Sequence, residues 1–221
     1  ATRLKEVIAN NANAIGGKAF YQCHSLENLD SLAIESLGEE AFYGCGALSS
    51  VKLSDKLESV PNYTFSFCSS LMSVTLPSAL KSIGDYAFQY CTNLSTIDGG
   101  NKLETIGSYA FLQCESLSYV TFLDGLQQIG DYAYQGCRSL TSVELPSTVN
   151  TVGRGAFSEC GSLTYMSLPE VYGANGSTYF YFSYIFSGYS ASDNIHCIPN
   201  SLSRVKITAT SIPDNAFRYC K

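Results

Sequence analysis

The sequence predicts a repeat solenoid of α/β type: a right-handed superhelix with a parallel β-strand ladder on one face and short helical turns on the other. Three observations predict it. Cysteines recur at a near-fixed interval. Apolar residues and glycines recur in phase with them. Within each interval the apolar pattern changes from alternation to a helix-like spacing.

The cysteines stand at Cys23, Cys45, Cys68, Cys91, Cys114, Cys137, Cys160, Cys197 and Cys220, with gaps of 22, five of 23, then 37 and 23. An aromatic residue lies three before most of them, at Phe20, Phe42, Phe65, Phe88, Phe111, Tyr134, Phe157 and Phe217. Further upstream comes an apolar residue followed by Gly or Pro, as in Ile83-Gly84, Ile129-Gly130, Val60-Pro61 and Ile212-Pro213.

The first half of each repeat reads as a strand. Val143 and Leu145 alternate with Ser142 and Glu144, so one face is buried. Pro77, Pro146 and Pro169 end such runs, because proline has no N–H to donate. The second half reads as one or two helical turns: Phe88, Cys91 and Leu94 are three apart, and Ala87 is four before Cys91. Pro61 and Pro213 occupy a slot that is otherwise glycine. Since proline holds φ near −65°, the slot does not demand positive φ and suits the first residue of a helical turn. Glu39, Asp85, Asp131 and Asp214 follow it, where a carboxylate meets the positive end of the turn.

Residues 1–221 are expected to form a single solenoid of about nine turns, with one strand about every 4.8 Å. Residues 170–198 break the period and form an irregular, aromatic-rich insertion. Gly99 takes an inward slot held elsewhere by Leu76 or Leu145, so that turn should pinch or leave a small gap. Thr64 replaces the usual alanine. The pattern stops in mid-repeat at Lys221, so the native protein is expected to continue beyond it.

The string Leu-x-x-Val-x-Leu-Pro-x-x-Val-x-x-Ile-Gly-x-x-Ala-Phe-x-x-Cys resembles the BspA-like leucine-rich repeats. Leu140 to Cys160, LTSVELPSTVNTVGRGAFSEC, carries it almost without departure, and the resemblance covers most of the chain. It implies the fold strongly. It also implies adhesion to host matrix proteins or to other cells, but only as an analogy of function.

Composition narrows the functional classes. The formal net charge of −6 offers no basic footprint for nucleic acid. No apolar stretch is long enough to insert in a membrane. Only 14% of residues are charged, and a surface rich in hydroxyls suits an extracellular or cell-surface location. Metal binding requires converging ligands, whereas these cysteines fall in a line. Bridges between adjacent turns are conceivable, but an in-register ladder aims thiols in parallel and nine is an odd number. A column of buried free thiols fits best. The two histidines, His24 and His196, sit in no catalytic motif, so no catalytic residue, metal or cofactor is expected.

The candidate binding face is the solvent side of the strand ladder, with Tyr119, Thr121, Ser142, Glu144, Tyr165 and Ser167, extended by Tyr172, Tyr179 and Tyr181 of the insertion. Aromatic residues suit interface anchors and sugar stacking. The aromatics of the insertion also suit a variant repeat that must build its own small core, which is the favoured reading of them. The function expected is a non-catalytic binding or adhesion module, monomeric, whose partner is a protein or glycan of a host or neighbouring-cell surface. The alternative is an architectural spacer that positions another domain.

Overall fold

The computed structural model describes residues 3–8, 12–29, 34–169, 182–187, 198–210, 212 and 216–217. The chain winds as a parallel β-solenoid in which each turn contributes to three stacked ladders.

The first ladder comprises β1 (Glu6–Val7), β3 (Asn28–Leu29), β5 (Ser50–Lys52), β7 (Ser73–Leu76), β9 (Thr96–Gly99), β12 (Ser142–Glu144), β14 (Tyr165–Leu168) and β15 (Arg204–Ile207). The second comprises β2 (Ala14–Ile15), β4 (Ser36–Leu37), β6 (Ser59–Val60), β8 (Ser82–Ile83), β10 (Thr105–Ile106), β11 (Gln128–Ile129) and β13 (Thr151–Val152). Every pairing is parallel and joins equivalent positions of the repeat, such as Val74 with Ile97 and Ile129 with Val152. Inward residues alternate with outward ones, as in β7, where Val74 and Leu76 are buried while Ser73 and Thr75 are exposed.

The third ladder replaces the expected helical turns. Among the described residues the one helical element is a 3-10 helix over Phe182–Phe186. Elsewhere this side is a run of tight turns. Amides of Tyr86, Phe88 and Tyr90 donate to Ser108, Ala110 and Leu112 of the next turn at 2.9, 2.7 and 2.7 Å. The intervening amides of Gln89 and Cys91 close back on Tyr86 and Phe88 at 3.2 and 3.1 Å. Amides that point alternately along the solenoid and back into their own turn exclude an α-helix, whose amides all point one way. Two residues four apart take left-handed φ in each of seven consecutive turns, for example Tyr86 (57°) with Tyr90 (57°) and Tyr132 (55°) with Gly136 (74°).

The Gly/Pro slot is free of positive φ, as expected, but its purpose is close approach. A Cβ on Gly107 would lie 2.6 Å from the Asp85 amide nitrogen, and one on Gly130 would lie 2.5 Å from that of Ser108. The glycine amides complete the second ladder: Gly84, Gly107, Gly130 and Gly153 donate to Val60, Ile83, Ile106 and Ile129. Pro61 has no such donor, and the second ladder divides there, into β2–β4 and β6–β8–β10–β11–β13. The neighbouring carboxylates bond across turns, with Asp85 Oδ1 accepting the Ser108 amide at 2.7 Å and Asp131 Oδ1 accepting that of Arg154 at 2.8 Å.

The first ladder is interrupted at 119–121, which forms no strand although Val120 is 7% exposed. The preceding strand β9 runs into Gly99 and Gly100, with φ of 92° and 72°. The turn pinches as expected, since a Cβ on Gly99 would lie 2.3 Å from the Leu76 carbonyl oxygen. In the equivalent inward slot of the following turn stands the larger Phe122, edge-on to Tyr134 with centroids 5.7 Å apart.

Between the ladders lies a continuous core. Phe20, Phe42, Phe65, Phe88, Phe111, Tyr134 and Phe157 stack in one column, with successive centroids between 5.0 and 5.5 Å. Thr64, standing for alanine, is fully buried and donates its hydroxyl to Pro61 O at 2.8 Å.

Candidate functional site

The cysteine column is sealed. Cys23, Cys45, Cys68, Cys91, Cys114, Cys137 and Cys160 are free and buried. From Cys45 onward each thiol donates to the carbonyl of the aromatic residue in the previous turn, for example Cys91 Sγ to Phe65 O at 3.1 Å and Cys114 Sγ to Phe88 O at 3.2 Å. Burial pushes the Cys45 and Cys160 thiols up to about 12, and raises Cys68, Cys91, Cys114 and Cys137 as well. Thiols held protonated and shielded are neither nucleophiles nor metal ligands. Among the described residues no group of three His, Cys, Asp or Glu side chains converges to hold a metal ion. No helix among them is long and apolar enough to cross a membrane. Cys197, Cys220 and His196 lie outside the described residues.

The chemistry available is that of surfaces. On the first-ladder face, Tyr119 is 58% exposed, Thr121 and Glu144 are exposed, and Ser142 and Tyr165 are half-buried. Register places Ser142 beside Tyr165, and Glu144 beside Ser167. The turn carrying Tyr119 abuts the next through the Thr141 amide, which donates to Ser118 O at 3.3 Å. Ser167 departs from expectation: it is 6% exposed. Its short side chain lies in register between Glu144 and Lys206, whose longer side chains flank it. Tyr172, Tyr179 and Tyr181 lie outside the described residues. The described part of the insertion is core, with Phe182, Ile185 and Phe186 buried and Phe182 packed 5.2 Å from Phe217. It carries on the turn ladder, because the amides of Gly155 and Phe157 donate to Tyr184 and Ile185.

Two features of the surface escaped the sequence reading. The first is charge at the end of the first ladder. Arg204 and Lys206 of β15 are exposed, and the Arg204 guanidinium sits 5.5 Å from the Tyr165 ring centroid. Several other cations pair with carboxylates one turn away, as Lys5 does with Glu27 and Lys81 with Glu58, both at 2.8 Å. Among the described residues Arg204 and Lys206 make no ion pair. The alternation Arg204-Val205-Lys206-Ile207 contained this signal, since it sends both cations to the solvent side.

The second is the turn side, where Tyr63, Tyr86, Tyr109 and Tyr132 stack with centroids 4.7 to 5.1 Å apart. Beside them a shallow trough of about 510 Å³ runs along the second ladder past Gly84, Gly107 and Gly130, with Asp85 and Asp131 on its wall.

A profile of the BspA type leucine rich repeat region, in six copies, matches residues 2–118 and 104–221. The chain belongs to the BspA-type leucine-rich repeat family. No curated protein matches it. Among solved structures, a leucine-rich repeat protein of T. pallidum is 36% identical over 54% of this chain, with a TM-score of 0.53. The chain spans 58% of that protein's length. A leucine-rich repeat protein from Bacteroides ovatus is 20% identical, covering 93% of this chain and 69% of its own, with a TM-score of 0.41. A leucine rich cell surface protein from Faecalibacterium prausnitzii is 18% identical, covering 89% and 76%, with a TM-score of 0.35. The likeness to the T. pallidum protein supports the plan of stacked turns derived above.

Proposed function

We propose that this leucine-rich repeat solenoid is a non-catalytic binding or adhesion module, secreted or displayed at a cell surface, which takes a protein or glycan on the C-terminal half of its first-ladder face. One observation carries the reading. Tyr119 and Tyr165 stand two turns apart on that face with the small Ser142 between them, while Ser50, Lys52, Ser73 and Thr75 of β5 and β7 form the corresponding surface nearer the N-terminus, without an aromatic residue. Tyrosine supplies large contact area at small conformational cost, so anchors of this kind dominate interfaces. Ordering costs little at Tyr165 because β14 is fixed between β12 and β15 before a partner arrives.

The spacer reading draws on a different observation, the three hydrogen-bond ladders, which make a stiff rod.

The test is an array of matrix proteins and glycans probed with the chain. For a partner that binds, Tyr119→Ala and Tyr165→Ala should each weaken affinity roughly tenfold or more, as truncation of an anchor does. Ser50→Ala should leave it unchanged. A double tyrosine variant that melts like the parent and binds equally well would remove this face from consideration.

A further inference from the structure

Resting on the reading above, we infer that the ligand of the first-ladder face is a linear acidic polysaccharide that carries a carboxylate on alternate sugars. Two rows of side chains define the surface. In register the first runs Ser142, Tyr165, Arg204 and the second runs Glu144, Ser167, Lys206; Tyr119 and Thr121 stand one repeat earlier, on the turn that meets Thr141 through Ser118. With Tyr119 one turn beyond Ser142, the first row spans three turns of the stack, about 14 Å, which is a footprint of several sugars.

Each member of the first row has a distinct use. Tyr119 and Tyr165 are about 10 Å apart, with only Ser142 between. That gap admits a flat ring, whose C–H face suits an aromatic side chain and whose hydroxyls suit Ser142 and Thr121. Arg204 is held by its contact with Tyr165, its guanidinium 5.5 Å from the ring centroid. A guanidinium fixed in this way offers a planar fork that matches a carboxylate. Lys206 adds a second exposed cation two residues along the same strand.

The acids on the same face restrict the ligand further. Glu144 on β12 and Asp98 on β9 are exposed. A densely sulfated chain would run its charges over both and be repelled. A chain with a single acid on every second sugar can place one carboxylate at Arg204 and Lys206 and a neutral sugar at Tyr165, and it brings far fewer charges over Glu144 and Asp98 than a sulfated chain would.

The experiment is calorimetric titration of the chain with four probes: a hyaluronan oligosaccharide, a neutral chitin oligosaccharide of equal length, a heparin oligosaccharide and sialyllactose. The hyaluronan oligosaccharide should bind, and the neutral oligosaccharide should bind about tenfold more weakly, the size expected for loss of one charge-assisted contact. Arg204→Ala and Lys206→Ala should lower affinity by a similar factor with unchanged thermal melts, Arg204→Lys should lower it less, and Glu144→Gln should raise it. Equal binding of the neutral oligosaccharide, tighter binding of heparin, binding confined to sialyllactose, or indifference to Arg204→Ala would each overturn the inference. If a protein on the arrays, or a neutral glycan, binds through Tyr119 and Tyr165 while Arg204 and Lys206 do not matter, the acidic polysaccharide is excluded and the binding face stands.

Discussion

A carbonyl oxygen has two lone pairs, and in this core both are used at the same residue type in turn after turn. Phe88 O accepts the amide of Cys91 at 3.1 Å and the thiol of Cys114 at 3.2 Å. The same double acceptance recurs at Phe42, Phe65, Phe111 and Tyr134. The thiol is therefore more than a space-filler. It satisfies an acceptor that the irregular backbone would otherwise leave short of partners, and being a weak donor it loses little when taken from water. Sequence spacing revealed that the cysteines share a column and are buried. It could not reveal the bond, because nothing in a spacing says which carbonyl lies 26 residues back. The bond also alters the expected cost of a substitution. A serine at 114 inherits an acceptor, so Cys114→Ser should cost only about 1 kcal/mol, below the roughly 3 kcal/mol that an unpartnered buried hydroxyl can reach. Cys114→Ala should cost a similar amount through lost packing. Denaturant titration of both variants checks this, and a serine penalty well above the alanine one would mean that the hydroxyl does not reach Phe88.

At the scale of the element, strands were legible and the turn side was not. Alternation in Val143-Glu144-Leu145 has one meaning, whereas a spacing of three or four has two. Phe88, Cys91 and Leu94 share a face in a helix, but they share one equally in successive turns closed by i to i−3 bonds. Residues at the left-handed slots give no warning, because Tyr63, Tyr86, Tyr109 and Gln113 are not residues that favour positive φ. Each such residue costs on the order of 1 kcal/mol. Stacking of the tyrosines on one another and the amide bonds to the next turn offset that cost. The glycine slot is where this architecture is least forgiving. On Gly130 a methyl group would meet the Ser108 backbone at 2.5 Å, and a backbone cannot rotate aside. Gly130→Ala should therefore destabilise by about 1–3 kcal/mol, in the range of overpacking. Gly16, in the corresponding slot of the first described turn, has nothing within 4 Å of such a group. Gly16→Ala should stay within about 0.5 kcal/mol of the parent. Equal thermal shifts in the two variants would show that turn-to-turn contact is not what selects glycine.

The whole molecule behaves as a stack, since each turn touches chiefly its neighbours and shares with them a core and three ladders. Its register was readable over most of the chain because the period fixes it, and it was lost over 170–198 because the period is lost there. Stacking places six ionisable thiols with raised pKa in one apolar column, which gives the molecule a specific alkaline weakness. A thiol whose folded pKa lies above its unfolded one contributes stability that is full below the unfolded value and lost as pH rises towards the folded value. For Cys45 and Cys160 that window runs from 9.0 to about 12. Within it the unfolded chain has released a proton that the folded chain keeps, so stability falls by about 1.4 kcal/mol per pH unit for each thiol. Several thiols acting together should make the decline above pH 9 steep, while stability between pH 7 and pH 8.5 should change little on their account. Urea unfolding in a reducing buffer at pH 7, 8.5, 9.5 and 10.5 measures it. A Cys91→Ala, Cys114→Ala variant has two fewer such groups, so its stability should decline less steeply, by roughly 3 kcal/mol per pH unit, even though it starts less stable at pH 7. Identical slopes in parent and variant would mean that the thiols ionise within the folded stack, and the sealed column would have to be abandoned.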